Sequence, residues 1–130
     1  MTEAGATHTM RQSVNAITDA ITPQLIACRR DFHRFAETGW TEFRTASLVA
    51  RRLAELGCEV QVGQQVLDPE ERMGVPDQAV LEACWRRAGE QGGDPKYLDA
   101  MRGGFTAVVG TVRNGAGPTI GLRFDMDALE

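Results

Sequence analysis

Long apolar runs, paired cysteines and a signal sequence are all missing from this chain. No stretch approaches the roughly 20 consecutive apolar residues that a membrane helix requires, which argues against a membrane protein. Residues 1–10 are small and polar, without the basic flank and apolar core of a secretory signal. The three cysteines, Cys28, Cys58 and Cys84, lie far apart and form no metal-binding or disulfide pattern. We therefore expect a cytoplasmic protein with buried free thiols.

A basic surface is also missing. The formal net charge is -4, whereas proteins that bind nucleic acid need a basic face for the phosphates. Three arginine pairs are scattered over separate segments and are expected to lie on solvated helix faces. With 130 residues, 42% of them apolar, the chain is long enough to build one domain with a core.

Helical patterns dominate the first half of the chain. Residues 1–12 are predicted to be a flexible leader, and apolar steps of three and four over 14–35 predict an amphipathic helix. Pro23 lies off the apolar stripe and predicts either a kink or a restart of that helix. A second helix is predicted over about 41–56, with Gly57 as its left-handed C-terminal cap.

Strand patterns follow the second helix. Alternating apolar and polar residues over 58–66 predict a half-buried strand. Residues 105–112 and 119–125 predict two more strands, joined as a hairpin by the turn signal Asn114-Gly115-Ala116-Gly117-Pro118. An insert over about 67–103 carries two short helices, the second capped by Asp94. Helices, strands and the helical insert together predict an α/β layered architecture.

The sharpest candidate for chemistry is the sequence Arg123-Phe124-Asp125-Met126-Asp127. On a continuing strand, Asp125 and Asp127 face the same side, about 7 Å apart. Carboxylates held that close need a cation, hydrogen bonds or a shared proton. The alternative is structural, with Arg123 pairing with one aspartate while the other caps the next segment. The spacing alone leaves both interpretations open.

Three other polar residues are assigned structural roles by the sequence. His33 flanks the apolar stripe of the first helix, where a histidine more often packs and donates a hydrogen bond than binds a metal. Glu37 and Glu42 bracket the helix-breaking Gly39, and Glu42 favours the first turn of the second helix electrostatically.

Several motifs in order resemble a known enzyme family. They are Arg29-Arg30-Asp31-Phe32-His33, Glu37-Thr38-Gly39-Trp40, Glu42-Phe43-Arg44-Thr45-Ala46 and Gly117-Pro118-Thr119-Ile120-Gly121-Leu122-Arg123-Phe124-Asp125-Met126-Asp127-Ala128-Leu129. The combination resembles the amidohydrolase branch of the aminoacylase and carboxypeptidase type of metallopeptidases, which contains hippurate and auxin-conjugate hydrolases. The insert, with Asp68, Arg72-Met73-Gly74-Val75-Pro76-Asp77 and Gly103-Gly104-Phe105-Thr106, narrows the resemblance to hydrolases of aminobenzoyl-glutamate.

The resemblance implies a fold and an activity. Residues 13–130 correspond to the incomplete N-terminal part of a three-layer α/β/α catalytic domain. The implied reaction is hydrolysis of aminobenzoyl-glutamate or a related acyl amino acid amide. A homodimer, or a heterodimer with a homologous subunit, is implied as well.

The resemblance further implies a pair of divalent metal ions, manganese or zinc. Asp127 would support a metal ligand and Asp125 would lie at the edge of the site, whereas the ligands themselves lie downstream of this chain. The 130 residues alone are therefore expected to be inactive. The alternative is a truncated product without activity, or a fragment that binds another subunit.

Overall fold

The first helix, α1, spans Glu3–Arg34 and is longer than predicted. The computed structural model describes residues 3–129, which form two compact units, one ending at Phe35 and one starting at Ala36. Because α1 begins at Glu3, the described part of the predicted leader is helical. Hydroxyl groups along α1 donate to the carbonyl four residues earlier, as from Thr18 to Val14 at 2.9 Å. Such bonds satisfy hydroxyls within a helix. Pro23 lies inside α1, and the helix continues through it.

The apolar stripe of α1 is exposed. Val14, Ile17 and Leu25 each leave more than half of their surface accessible. Cys28 is also exposed, so the prediction of a buried thiol is wrong for this residue, and Cys58 and Cys84 are half-buried free thiols. None of the helices described for residues 3–129 is long and apolar enough to cross a membrane.

The second unit is organised around α2, Phe43–Glu55, which confirms the second predicted helix to within two residues at each end. Its inner face buries Phe43 and Ala46 completely. Leu56 is 63% exposed because it follows the last helical turn. Gly57 has φ 83°, which confirms the predicted left-handed cap.

A two-stranded antiparallel sheet packs against α2. Strand β1 is Glu59–Val62 and strand β2 is Val108–Thr111, in register from Glu59 opposite Thr111 to Val62 opposite Val108. Strand β1 ends earlier than predicted because Gly63, at φ 66°, starts a 3₁₀ turn that spans Gly63–Gln65.

The predicted hairpin is wrong. Strand β2 pairs with β1, and residues 119–125 form no strand among the described residues. The alternating Ile120, Leu122 and Phe124 are each about 80% exposed. Alternation therefore identified an apolar face, but no described residue covers that face.

The helical insert completes the core of this unit. It contains α3, Gln78–Glu90, and α4, Pro95–Met101, and the Asp94 carboxylate accepts from the Lys96 N–H at 2.9 Å, which confirms the predicted cap. Helix α2 contacts both insert helices. The main cluster of buried apolar residues comprises Phe43, Ala46, Ala50, Val62, Leu81, Ala88, Tyr97, Leu98 and Met101. All three arginine pairs are exposed, as predicted.

Candidate active site

Glu37 anchors the loop that precedes α2. Its carboxylate oxygens accept hydrogen bonds from the backbone N–H groups of Arg44 at 3.0 Å and Thr45 at 2.8 Å. These are donors of the first helical turn, which lack partners within the helix and carry partial positive charge. Glu37 is only 3% exposed, so it fixes the loop and the start of α2 in one arrangement.

Glu42 lies directly before α2 and reaches across to the chain ahead of β2. Its carboxylate accepts a hydrogen bond of 2.9 Å from the hydroxyl of the buried Thr106. Burial raises the pKa of Glu42, and the negative charges of Asp127 and Glu37 raise it further, while the Thr106 hydrogen bond opposes them. Glu42 therefore has a greater tendency to hold a proton than an ordinary surface glutamate.

The two predicted aspartates lie in the same segment but have different surroundings. Asp125 accepts a hydrogen bond from the Arg123 guanidinium at 2.6 Å, in agreement with the structural alternative for this residue. Both side chains of that pair are more than 60% exposed. Asp127 is exposed as well, and its charge acts on Glu42. The catalytic roles of both aspartates stay predictions.

One backbone hydrogen bond holds the aspartate segment to the loop before α2. The N–H of Ala128 donates to the carbonyl of Glu37 at 2.7 Å. Glu37 therefore binds α2 through its side chain and the aspartate segment through its backbone. This double attachment explains how residues outside any strand still reach Glu42.

An open cleft of about 680 Å³ brings these groups together. Its lining residues come from the loop before α2, the approach to β2 and the aspartate segment: Gly39, Trp40, Glu42, Leu67, Thr106, Ala107, Val108, Arg123, Phe124, Asp125, Met126 and Asp127. His33 is not among them; it lies exposed in the last turn of α1, so its predicted packing is wrong.

Trp40 is one of the residues that line the cleft, and a hydrogen bond and a nearby guanidinium group hold its side chain. Its indole N–H donates to the carbonyl of Met73 at 3.0 Å. The Arg72 guanidinium lies 3.8 Å from the ring centre of Phe105 and 5.9 Å from that of Trp40, within cation–π range. Arg72 also donates to the carbonyl of Gly103 at 2.8 Å.

The cleft offers carboxylates but not a complete metal site. Among the side chains that the structure describes, those of residues 9–129, no group of three or more His, Cys, Asp or Glu is placed to hold a metal ion. A catalytic zinc ion is usually held by three protein ligands. These residues therefore do not fit a resident metal by themselves. Glu42, with its raised pKa, can hold or release a proton, and Asp127 can orient a neighbouring cationic or hydrogen-bonding group.

Sequence reasoning missed three contributors to this site. Glu37 and Thr106 bind partners that no local pattern predicts, since Thr106 contacts a residue 64 positions earlier. The sequence did contain a signal for Trp40, because this residue follows Gly39 directly before the predicted second helix. Only tertiary structure shows that Trp40 and Thr106 line one cleft and that Glu37 fixes the loop that carries Trp40.

Sequence comparison finds relatives over most of the chain. It is 43% identical over 120 residues to a p-aminobenzoyl-glutamate hydrolase subunit of Escherichia coli (strain K12), which covers 92% of this chain and 28% of the relative. It is 47% identical over 109 residues to indole-3-acetyl-aspartic acid hydrolase of Enterobacter agglomerans, which covers 83% of this chain and 25% of the relative. The chain thus spans about a quarter of the length of these curated relatives. No family model matches it.

Structural comparison agrees with the sequence comparison. The crystal structure of an aminobenzoyl-glutamate utilization protein from Klebsiella pneumoniae matches with a TM-score of 0.87 and 45% identity, covering 89% of this chain and 30% of that one. A match of this quality confirms the predicted α/β fold class as part of a larger catalytic domain. In sequence and fold the chain is therefore similar to part of the aminobenzoyl-glutamate type of hydrolase, of which it spans 25–30% of the length.

Proposed function

We propose that the protein containing this chain hydrolyses the amide bond between an aromatic acyl group and an acidic amino acid. Aminobenzoyl-glutamate or a related acyl amino acid is the substrate. The observation that carries this proposal is the chemistry shared by the two relatives. One is named for aminobenzoyl-glutamate and the other for indole-3-acetyl-aspartic acid. Both names describe an aromatic acyl group joined to a dicarboxylic amino acid.

The proposal includes a pair of divalent metal ions, manganese or zinc, bound by residues outside this chain. When bound, such ions supply an activated water and stabilise negative charge on the substrate oxygen. Asp127 lines the same cleft as Glu42, whose pKa it helps to raise, and in this proposal it orients one of the metal ligands from the second layer. Asp125 lies at the edge of the site, held by Arg123.

A second candidate concerns the 130 residues by themselves. The described side chains, those of residues 9–129, form no cluster of metal ligands, which favours a segment without activity that functions only with the rest of the protein or with another subunit. The relatives from Escherichia coli and Haemophilus influenzae are named as a hydrolase subunit or its homologue. We infer a dimer, either of two copies or with a homologous subunit.

Hydrolysis of aminobenzoyl-glutamate by the full-length protein tests the main proposal. Asp127→Asn is expected to lower kcat/KM by about 10–100-fold, because removing an outer partner of a metal ligand has that effect. Asp125→Asn, its matched control two residues away, is expected to cost less because that carboxylate is exposed and bound to Arg123. Full-length protein that releases no aminobenzoate with manganese or zinc present would refute the activity. Turnover by residues 1–130 alone would refute the second candidate.

A further inference from the structure

Trp40 occupies a backbone position that is unusual for a bulky residue. The N–H of Thr41 donates to the carbonyl of Thr38 at 2.9 Å, which closes a tight turn with Gly39 and Trp40 at its centre. Trp40 has φ 67°, and it is the one non-glycine residue with positive φ among the described residues. Turns of this kind usually place glycine or asparagine at the left-handed position. Backbone strain of this kind clusters at functional sites.

The side chain gives a reason for tryptophan at this position. Trp40 lines the cleft that Glu42 and Asp127 also line, and its indole N–H is bound to the carbonyl of Met73. The Arg72 guanidinium is within cation–π range of both Trp40 and the buried Phe105, which limits movement of the ring. A fixed aromatic residue in a cleft that combines apolar side chains with carboxylates suits an aromatic ligand, because ring pairs contribute beyond the area they bury.

We propose that Trp40 contacts the aromatic acyl group of the substrate and thereby determines specificity for aromatic over aliphatic acyl groups. The inference rests on the proposed function, which supplies the aromatic amide. It assigns the acyl side of the cleft to the turn at 38–41. The amide bond would then lie towards Glu42 and Asp127, the other side chains of the same cleft.

The test compares full-length wild type with Trp40→Gly, using aminobenzoyl-glutamate and acetyl-glutamate as substrates. Glycine adopts positive φ without strain, so this change removes the ring while keeping the turn. We expect kcat/KM for aminobenzoyl-glutamate to fall by about tenfold, the effect of one aromatic contact. For acetyl-glutamate we expect a change of less than about twofold. Trp40→Phe keeps an aromatic ring and is expected to retain the preference even if Trp40→Gly does not fold.

Trp85 provides a matched control. Its indole N–H also donates to a backbone carbonyl, that of Leu98 at 2.9 Å, and Arg102 lies 4.8 Å from its ring centre. Because Trp85 is not part of the cleft lining, Trp85→Leu is expected to leave the ratio of the two kcat/KM values unchanged. An equal loss of kcat/KM for both substrates in Trp40→Gly, or a lost preference for the aromatic substrate in Trp40→Phe, would overturn the proposed role of Trp40 but not the proposed function. A wild type inactive on every amide would overturn the proposed function too.

Discussion

Replacing Glu37 by alanine is expected to destabilise the start of α2 and, through it, the candidate site. Glu37 is 3% exposed, and its carboxylate is bound to the N–H groups of Arg44 and Thr45. Alanine would leave both donors without this partner in a space too buried for full hydration. The change would also remove a negative charge from the positive end of a helix.

The expected loss follows from these contacts. A buried donor left without its acceptor costs about 1–3 kcal/mol, and loss of a helix cap costs typically about 1 kcal/mol. Since one residue serves both amides, we expect Glu37→Ala to lower the free energy of unfolding by about 3 kcal/mol. Glu37→Gln keeps one acceptor oxygen and is expected to lose about half as much.

Urea unfolding of the full-length protein measures the overall loss, and hydrogen exchange locates it. Amide exchange in the first turn of α2 is expected to accelerate in Glu37→Ala, and most strongly at Arg44 and Thr45. Glu90→Ala, which removes an exposed carboxylate at the end of α3, is the control and should change neither measurement. Unchanged exchange at the start of α2 in Glu37→Ala would show that other groups satisfy these amides and would refute the reasoning.

Three further changes have defined outcomes. Glu42→Gln keeps an acceptor for Thr106 without the buried charge. The folded-state pKa of Glu42 is raised above the ordinary value of 4.5, so the folded protein holds this proton to a higher pH than the unfolded protein does. Ionisation of Glu42 therefore lowers the free energy of unfolding as the pH rises through the range between the two pKa values. Urea titrations are therefore expected to give the variant a higher free energy of unfolding than wild type at neutral pH, and the difference should shrink in acid. A difference that is equally large at every pH would show that the charge of Glu42 is not its cause. Gly63→Ala is expected to cost about 3 kcal/mol in the same titrations, because its Cβ would collide with the Ala100 carbonyl at positive φ, whereas Gly117→Ala has open space and should be neutral. Chelation of divalent metals is expected to abolish hydrolysis by the full-length protein, and activity that survives prolonged dialysis against chelator would contradict the proposed metal dependence.

Local sequence signals correctly predicted those helix ends that depend on interactions within one helical turn. Helix α2 ends at Glu55, just before the predicted left-handed Gly57, and α4 begins after the predicted Asp94 cap, because each signal acts within one helical turn. The segment 3–12 is helical although its polar composition predicted a leader, since polarity does not prevent helix formation. Apolar alternation over 119–125 predicted a strand, but a strand also needs a neighbouring strand, which composition cannot supply.

The candidate site could be predicted only in part, because local sequence patterns do not reveal contacts between distant residues. The pattern of Asp125 and Asp127 singled out a segment that the structure brings to a cleft, and the catalytic roles of both residues stay predictions. The segment forms no strand, because the bond from Ala128 to Glu37, and not a sheet, holds it in place. Contacts across more than 60 residues, as between Glu42 and Thr106, leave no trace in local sequence.

The helical insert has a consequence for protein engineering. Five residues of the main apolar cluster, Leu81, Ala88, Tyr97, Leu98 and Met101, belong to it, and Arg44 and Ser47 of α2 form hydrogen bonds with its backbone at Gln91 and Asp94. Deleting residues 67–103 would therefore remove most of the buried apolar residues that pack against α2. A graft between related enzymes should exchange α2 and the insert as one block.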